Sequence, residues 1–150
     1  MTLNEKELEK IYNETHKEQD SSEIIRDKKN YNYIMAFLTE VSMFGLYLSG
    51  LKIQKHIKEQ VLNNSETLNK IVRLDKAWER INLNLDLNFN SVVRDNILQE
   101  VDKSLNDVAK DFNEVSNHEY ENKEEILTAL SNATNYLNEL KDRLQKMVTD

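Results

Sequence analysis

Helix-breaking residues are almost absent from this chain of 150 residues, which has no proline and only two glycines, Gly45 and Gly50. Both glycines lie inside the most apolar stretch of the sequence, from Tyr33 to Ile53. Proline interrupts a helix because it lacks an amide hydrogen, and glycine weakens one because its backbone is unusually free. A chain with so few interruptions is expected to form long helices that pack together. The sequence therefore predicts an all-α fold.

A recurring capping pattern indicates where these helices begin. In this pattern an oxygen-bearing side chain is followed three residues later by glutamate, and apolar residues then recur at helical spacing. The pairs are Thr2 and Glu5, Asp20 and Glu23, Asn63 and Glu66, and Asn122 and Glu125. They predict a short first helix that ends near residue 18, a long second helix that contains the apolar stretch, a third helix over 64–81, and a last helix after residue 122.

The last third of the chain carries two heptad seams, in which apolar residues alternate three and four positions apart. The first seam contains Leu98, Val101, Leu105, Val108, Phe112 and Val115. The second contains Ile126, Leu130, Ala133, Leu137, Leu140, Leu144 and Met147. The short polar segment 116–122 separates them, so the two helices are expected to fold back on each other. The sequence thus predicts an elongated bundle of four to five helices with a C-terminal antiparallel helical hairpin.

We interpret residues 1–150 as a single helical domain. Residues 1–63 hold the N-terminal helices, 64–81 the third helix, 82–90 an irregular link and 91–150 an acidic hairpin. The link has a pattern of its own, because residues 81–90 alternate strictly between apolar and polar, as a half-buried strand does. Asparagine favours caps and turns over helix interiors, which favours a link; helix, or a strand that pairs with another chain, stays open.

The link also resembles part of a calcium-binding loop, since Asp86, Asn88 and Asn90 occupy the first three ligand positions. The glycine position of such a loop is Ser91, however, and the closing carboxylate position is Ile97. Without the sharp turn and the bidentate ligand, calcium binding is not expected. We expect instead an asparagine-rich link that ends at a helix cap on Asn90 or Ser91.

Catalytic and cofactor signatures are missing from the sequence. The three histidines, His16, His56 and His118, lie in separate segments without metal-ligand spacing, and there is no cysteine. Glu114 and His118 are four residues apart and are expected to form an ion pair at a helix end. No glycine-rich phosphate loop occurs. We therefore expect no enzyme activity, no cofactor and no metal site.

The net charge of −7 is concentrated in the second half of the chain. Residues 1–80 carry 13 basic and 13 acidic side chains, whereas residues 81–150 carry 7 and 14. An acidic region repels nucleic acid and anionic lipid and favours a basic protein surface as its partner. The candidate contact residues are Glu100, Asp107, Asp111 and Glu114, which form a stripe beside the first heptad seam. Solvated surface is the simpler interpretation of the same stripe.

The basic residues of the third helix are a weaker candidate surface. Lys70, Arg73, Lys76 and Arg80 lie along one side of it, but Asp75 and Glu79 interrupt them. A solvated face explains this arrangement better than a nucleic-acid footprint.

The apolar stretch spans 21 residues, close to the length that crosses a bilayer. Glu40 and several hydroxyl residues argue against insertion, and the centre of a helical bundle also requires a helix of this kind. We favour a central core helix, with partner binding and membrane insertion as alternatives. Gly45 and Ser49, together with Ser42, form a small-residue groove that another helix could approach closely.

The functional expectation is non-catalytic protein binding. The first residues lack the basic and apolar regions of a signal peptide, and cysteine is absent, which favours a cytoplasmic protein. Heavy use of Asn, Lys, Ile and Glu suggests an AT-rich bacterium or phage. A small inhibitor, antitoxin, immunity or anti-defence factor fits these features. The alternatives are a structural helical assembly whose seams join copies of the chain as a homo-oligomer, and a membrane-associated factor that uses the apolar stretch.

Overall fold

A computed structural model describes residues 4–15, 21–57, 64–83 and 89–147 of the chain. These ranges contain five helices: α1 (Glu5–Thr15), α2 (Ser21–Ile57), α3 (Asn64–Leu83), α4 (Ser91–Ser116) and α5 (Lys123–Lys146). No strand occurs in them, and the predicted all-α bundle is confirmed. The second helix is continuous over 37 residues, which corresponds to about 55 Å at 1.5 Å per residue.

The first helix begins at a cap other than the one that the sequence pattern suggested. The side-chain oxygen of Asn4 accepts a hydrogen bond from the backbone amide of Glu7 at 2.8 Å, and the Asn4 amide donates to the Glu7 carboxylate at 2.8 Å. Asn4 and Glu7 have the same spacing as Thr2 and Glu5, so a side-chain cap forms two residues later, with Glu7 bonded to the side-chain amide of Asn4 rather than to its backbone amide. Thr2 lies outside the described residues, as do Asp20 and Asn63.

The caps of α4 and α5 differ from each other. Asn90 caps α4 as predicted, since its side-chain oxygen accepts a hydrogen bond of 3.0 Å from the backbone amide of Val93. Asn122 is the N-cap residue of α5, as predicted, but its side chain makes no capping hydrogen bond. Its backbone is left-handed, with φ of 59°. Asparagine tolerates that conformation better than most residues, which explains its place at the end of the turn.

Helices α2 and α3 form an antiparallel hairpin. The Tyr47 hydroxyl lies 2.7 Å from the Thr67 hydroxyl, and Arg73 forms an ion pair of 3.1 Å with Glu40. As the residue number rises along α2, the residue number of the partner on α3 falls, so the two helices run antiparallel.

Helices α4 and α5 form the predicted C-terminal antiparallel hairpin. Lys141 of α5 reaches Asp102 of α4 at 2.7 Å, and Lys123 donates a hydrogen bond of 3.0 Å to the backbone carbonyl of Ser116 across the turn. The predicted seam of α5 is confirmed from Ile126 to Leu144, whose seam side chains are almost fully buried.

The two hairpins pack side by side, so that α2 contacts α4 and α3 contacts α5. An aromatic cluster joins them at mid-height: Trp78 stacks on Tyr136 with centroids 5.0 Å apart, and Phe37 lies 5.3 Å from Trp78. The Tyr136 hydroxyl donates a hydrogen bond of 3.1 Å to Asp75. Helix α1 covers one end of α2 and α4 through the buried Leu8. Buried residues from all five helices belong to one hydrophobic core.

The seam of α4 is rotated from the predicted one. Val101, Val108 and Val115 are buried as expected, but Leu98 and Leu105 are only half-buried and Phe112 is 39% exposed. The side of α4 that faces α2 instead holds Ser104 and Asp111 at the alternate heptad positions. The cause is that α4 packs against α2 as well as α5, and its interface with α2 is lined by small and polar side chains that a hydropathy pattern does not reveal.

The link between the hairpins is shorter than the predicted 82–90, because α3 continues as helix through Leu83. Residues 84–88, including Asp86 and Asn88, lie outside the described part of the chain. Phe89, just before α4, is 2% exposed and anchors the end of the link in the core. Asn90, the third residue of the calcium-like pattern, serves as the cap of α4.

Candidate partner-binding groove

A groove runs along the surface between α2 and α4. The two helices are parallel: Leu38 lies opposite Glu100 and Ser104, and Gly45 lies opposite Asp111. The groove has two consecutive parts of about 210 and 180 Å³, and both are lined by Ser42 and Asp107. We call this surface the α2–α4 groove. Its lining residues are Met35, Leu38, Thr39, Val41, Ser42, Gly45, Leu46, Ser49, Glu100, Lys103, Ser104, Asp107, Lys110 and Asp111.

The closest approach between the two walls is at Gly45 and Asp111. A Cβ atom at residue 45 would lie 2.7 Å from Oδ2 of Asp111, which is closer than real side-chain contacts. The absence of a side chain on Gly45 therefore creates the space in which this carboxylate lies. At Gly50, about one and a half turns further along α2, the described residues outside the helix backbone place no atom within 4 Å of the corresponding position.

The charge of Asp111 is not compensated inside the groove. Asp111 is half-buried, and no hydrogen bond or ion pair joins its side chain to any residue in the described ranges. Burial raises the pKa of the Asp111 carboxyl above its ordinary value, and the negative charge of Asp107 raises this pKa further. On the α2 wall, the Ser49 hydroxyl donates to the Gly45 carbonyl at 3.2 Å and is thus already engaged within the helix.

The structure brings together five of the six residues predicted to contact a partner. Gly45, Ser49, Asp107 and Asp111 line one part of the groove, and Glu100 lines the other. Two features that were identified separately, the acidic stripe and the small-residue pair, are therefore opposite walls of one groove.

Glu114 is the exception among the six predicted residues. It is absent from the groove lining, and its carboxylate lies 3.6 Å from Nδ1 of His118 in the expected ion pair at the end of α4. The same ring nitrogen is 2.8 Å from the backbone carbonyl of Glu114, a contact that places His118 over the last turn of the helix.

Two lysines that line the groove were not among the contact residues predicted from the sequence. Lys103 and Lys110 are exposed and lie at its rim, four residues before and three residues after Asp107. That spacing puts them on the same helical face as Asp107, so the period of the helix could have identified them. The groove is consequently less acidic than the stripe alone implies, and its most enclosed charge is Asp111.

The other candidate surfaces are partly used within the protein. Arg73 pairs with Glu40, and the ammonium of Lys70 lies 6.0 Å from the centre of the Tyr47 ring. Half of the basic face of α3 is therefore directed toward α2. Within the described residues, no group of three or more histidine, aspartate or glutamate side chains is placed to hold a metal ion.

The segment Asp27–Leu51 of α2 is long and apolar enough to cross a bilayer by length and composition, with a mean hydropathy of 1.5. Of the most apolar 18 consecutive residues in this segment, 39% are buried inside the protein. A core helix of a soluble bundle meets the same criterion, so length and hydropathy alone do not distinguish a membrane-spanning helix from a buried core helix.

Comparison with known proteins finds no matching protein family, no matching curated protein and no matching solved structure.

Proposed function

We propose that this protein is a non-catalytic binding protein whose α2–α4 groove receives a basic side chain from a protein partner. The observation that carries the proposal is the convergence of Asp107 and Asp111 with Gly45 and Ser49 on one groove. Small side chains allow a partner backbone to approach closely, and carboxylates supply the charge that a lysine or arginine needs.

The electrostatics of the groove support a cationic occupant. Asp111 is half-buried without a cation partner in the described part of the chain, and Asp107 adds a second negative charge four residues earlier. A guanidinium group can bind a carboxylate through two parallel hydrogen bonds, and the gain is larger where the carboxylate is already partly removed from water. An inhibitor, antitoxin, immunity or anti-defence factor from the cytoplasm of an AT-rich bacterium or its phage would bind its target in this way.

The test substitutes an exposed charged residue, so that the fold is preserved. Asp107→Lys reverses the charge in the groove, and Glu79→Lys makes the same charge change on the exposed surface of α3. Immobilised protein captures partners from a lysate of the source cells, and the affinity of each purified partner is then measured at two salt concentrations. We expect Asp107→Lys to weaken binding at least about tenfold, as loss of a contact of about 1.4 kcal/mol does, and Glu79→Lys to leave it unchanged.

A cross-link locates the contact independently of affinity. Because the chain lacks cysteine, Leu46→Cys, on the groove, and Glu79→Cys, on α3, can each carry a single photoactivatable label. Leu46 is 71% exposed, so the label does not disturb the core. The proposal requires the partner to cross-link from residue 46. A partner that binds both charge variants equally, or that cross-links only from residue 79, contradicts it.

A second candidate function, membrane association, is favoured by the hydropathy of Asp27–Leu51. It predicts that the purified protein floats with neutral phosphatidylcholine vesicles in a density gradient, and that Leu46→Lys, on the exposed side of α2, abolishes flotation. Protein that stays at the bottom of the gradient would exclude this candidate.

A further inference from the structure

Asp111 occupies an unusual position for an acidic residue. It lies three residues after Val108 and four before Val115, both of which are buried, and it faces α2 at the alternate heptad position of the α4 seam. Core positions of packed helices are normally apolar, because a charge there loses contact with water. Here the carboxylate rests against the backbone of Gly45.

The surroundings of Asp111 provide little to balance its charge. The α2 side of this part of the groove consists of Val41, Ser42, Gly45, Leu46 and Ser49, none of which titrates. The nearest charged residues of α2 are Glu40, about 8 Å from Gly45 along the helix axis and paired with Arg73, and Lys52, about 10 Å away in the other direction.

On α4 itself the neighbouring charged groups are Asp107, Lys110 and Glu114. Lys110 is exposed and forms no ion pair with Asp111, and Glu114 is directed to His118. Neither α1 nor α5 contributes a residue to this part of the groove. The neighbouring charge that acts on the pKa of Asp111 is the like charge of Asp107, which raises it.

We propose that Asp111 makes the contact between α2 and α4 proton-sensitive: the helices pack more tightly around the neutral carboxyl group than around the carboxylate. The neutral form removes the cost of holding an uncompensated charge against Gly45 and also the repulsion from Asp107. Loss of the proton from Asp111 therefore weakens this contact.

The direction of the pH effect follows from linkage. The pKa of Asp111 is raised in the folded protein by burial and by Asp107, so the folded state binds the proton more tightly than the unfolded state does. The resulting stabilisation is fully present below the pKa of the unfolded chain and is lost as pH rises through the raised pKa of the folded protein. This inference concerns folding alone and needs no partner, so it can fail while the binding proposal holds.

The test compares Asp111→Asn with the wild type in urea unfolding at a series of pH values from 4 to 8. Trp78, the only tryptophan and 5% exposed, reports unfolding by fluorescence. We expect Asp111→Asn to raise the urea midpoint at pH 7, with a severalfold lower unfolding constant, and this advantage to shrink as pH falls toward 4. Glu79→Gln, which removes an exposed carboxylate from α3, controls for general charge effects and should show no such gain.

Hydrogen exchange at fixed pH provides the local readout. In Asp111→Asn at pH 7, the backbone amides of α2 from residue 41 to residue 49 should exchange more slowly than in the wild type, while those of α3 change less. An Asp111→Asn protein that is no more stable than the wild type at pH 7, or that fails to fold, overturns the proposal. So does a gain in stability that is the same at pH 4 and pH 7.

Discussion

Replacing each glycine of α2 by alanine tests the contact between Gly45 and Asp111 quantitatively. Alanine is better than glycine in a helix interior by about 0.8–1.0 kcal/mol, because glycine loses more backbone freedom on folding. At Gly50 no atom of a neighbouring element in the described part of the chain lies within 4 Å of the added Cβ, so Gly50→Ala should realise the full gain. At Gly45 the Cβ would lie 2.7 Å from Oδ2 of Asp111, so the carboxylate has to move.

The size of the difference depends on how easily Asp111 can move. Its side chain is half-buried and flexible, so displacement toward water costs less than a backbone clash would. We expect Gly45→Ala to gain about 0.5 kcal/mol or less, against about 1 kcal/mol for Gly50→Ala. For a chain of 150 residues, 1 kcal/mol corresponds to a rise of about 2–4 °C in Tm. Urea unfolding followed by helical circular dichroism and by Trp78 fluorescence measures both variants.

A double-mutant cycle isolates the contact itself. In an Asp111→Ala background the obstructing carboxylate is gone, so Gly45→Ala should gain nearly as much as Gly50→Ala does in the wild type. The coupling energy should be about 0.5 kcal/mol, as for other side chains in direct contact. If Gly45→Ala gives the same gain in both backgrounds, the described contact does not affect stability. A larger gain at Gly45 than at Gly50 in the wild type would refute the reasoning outright.

Two further predictions concern the caps and the seam of α4, and both are measured by urea unfolding. Asn90→Ala removes the hydrogen bond to Val93 and should cost about 1–2 kcal/mol, whereas Asn122→Gly should cost less, since no side-chain capping bond is lost and glycine adopts the left-handed backbone at least as well. A loss at Asn122 equal to that at Asn90 would contradict the assigned caps. Ile97→Ala should cost about 2–5 kcal/mol because Ile97 is fully buried, and Phe112→Ala clearly less because Phe112 is 39% exposed. Equal losses of stability at Ile97 and Phe112 would support the seam predicted from the sequence and contradict the rotated one.

The helical elements followed from the sequence because the signals that define them are local. Cap residues, apolar spacing and the absence of proline act over one or two turns, and they placed α4 and the hairpin turn correctly. The seam of α5 was also readable, since one side of that helix is apolar and faces the core. At Asn4 the same type of cap was simply displaced by two residues, which shows the limit of a pattern that several neighbouring residues can satisfy.

The groove could be predicted only in part. Gly45 and Ser49 were recognisable as a small-residue pair, and Asp107 and Asp111 as members of an acidic stripe, but nothing local places α2 beside α4. Ser104 and the two lysines went unnoticed because their importance depends on which helix they face. Glu114 does not line the groove, and its carboxylate lies beside His118 instead.

By itself the sequence determined that this chain forms long helices, where most of them begin, and that the last two form a hairpin. The tertiary structure alone decided the order of the helices around the core, and with it the rotation of α4 that sets Asp111 against Gly45. The physical reason is that periodicity reports how much of a helix surface is apolar, whereas the identity of each neighbour is settled by the packing of residues far apart in the chain. The hydropathy pattern does not show that a polar residue such as Asp111 lies in a helix interface, and only its position against another helix does.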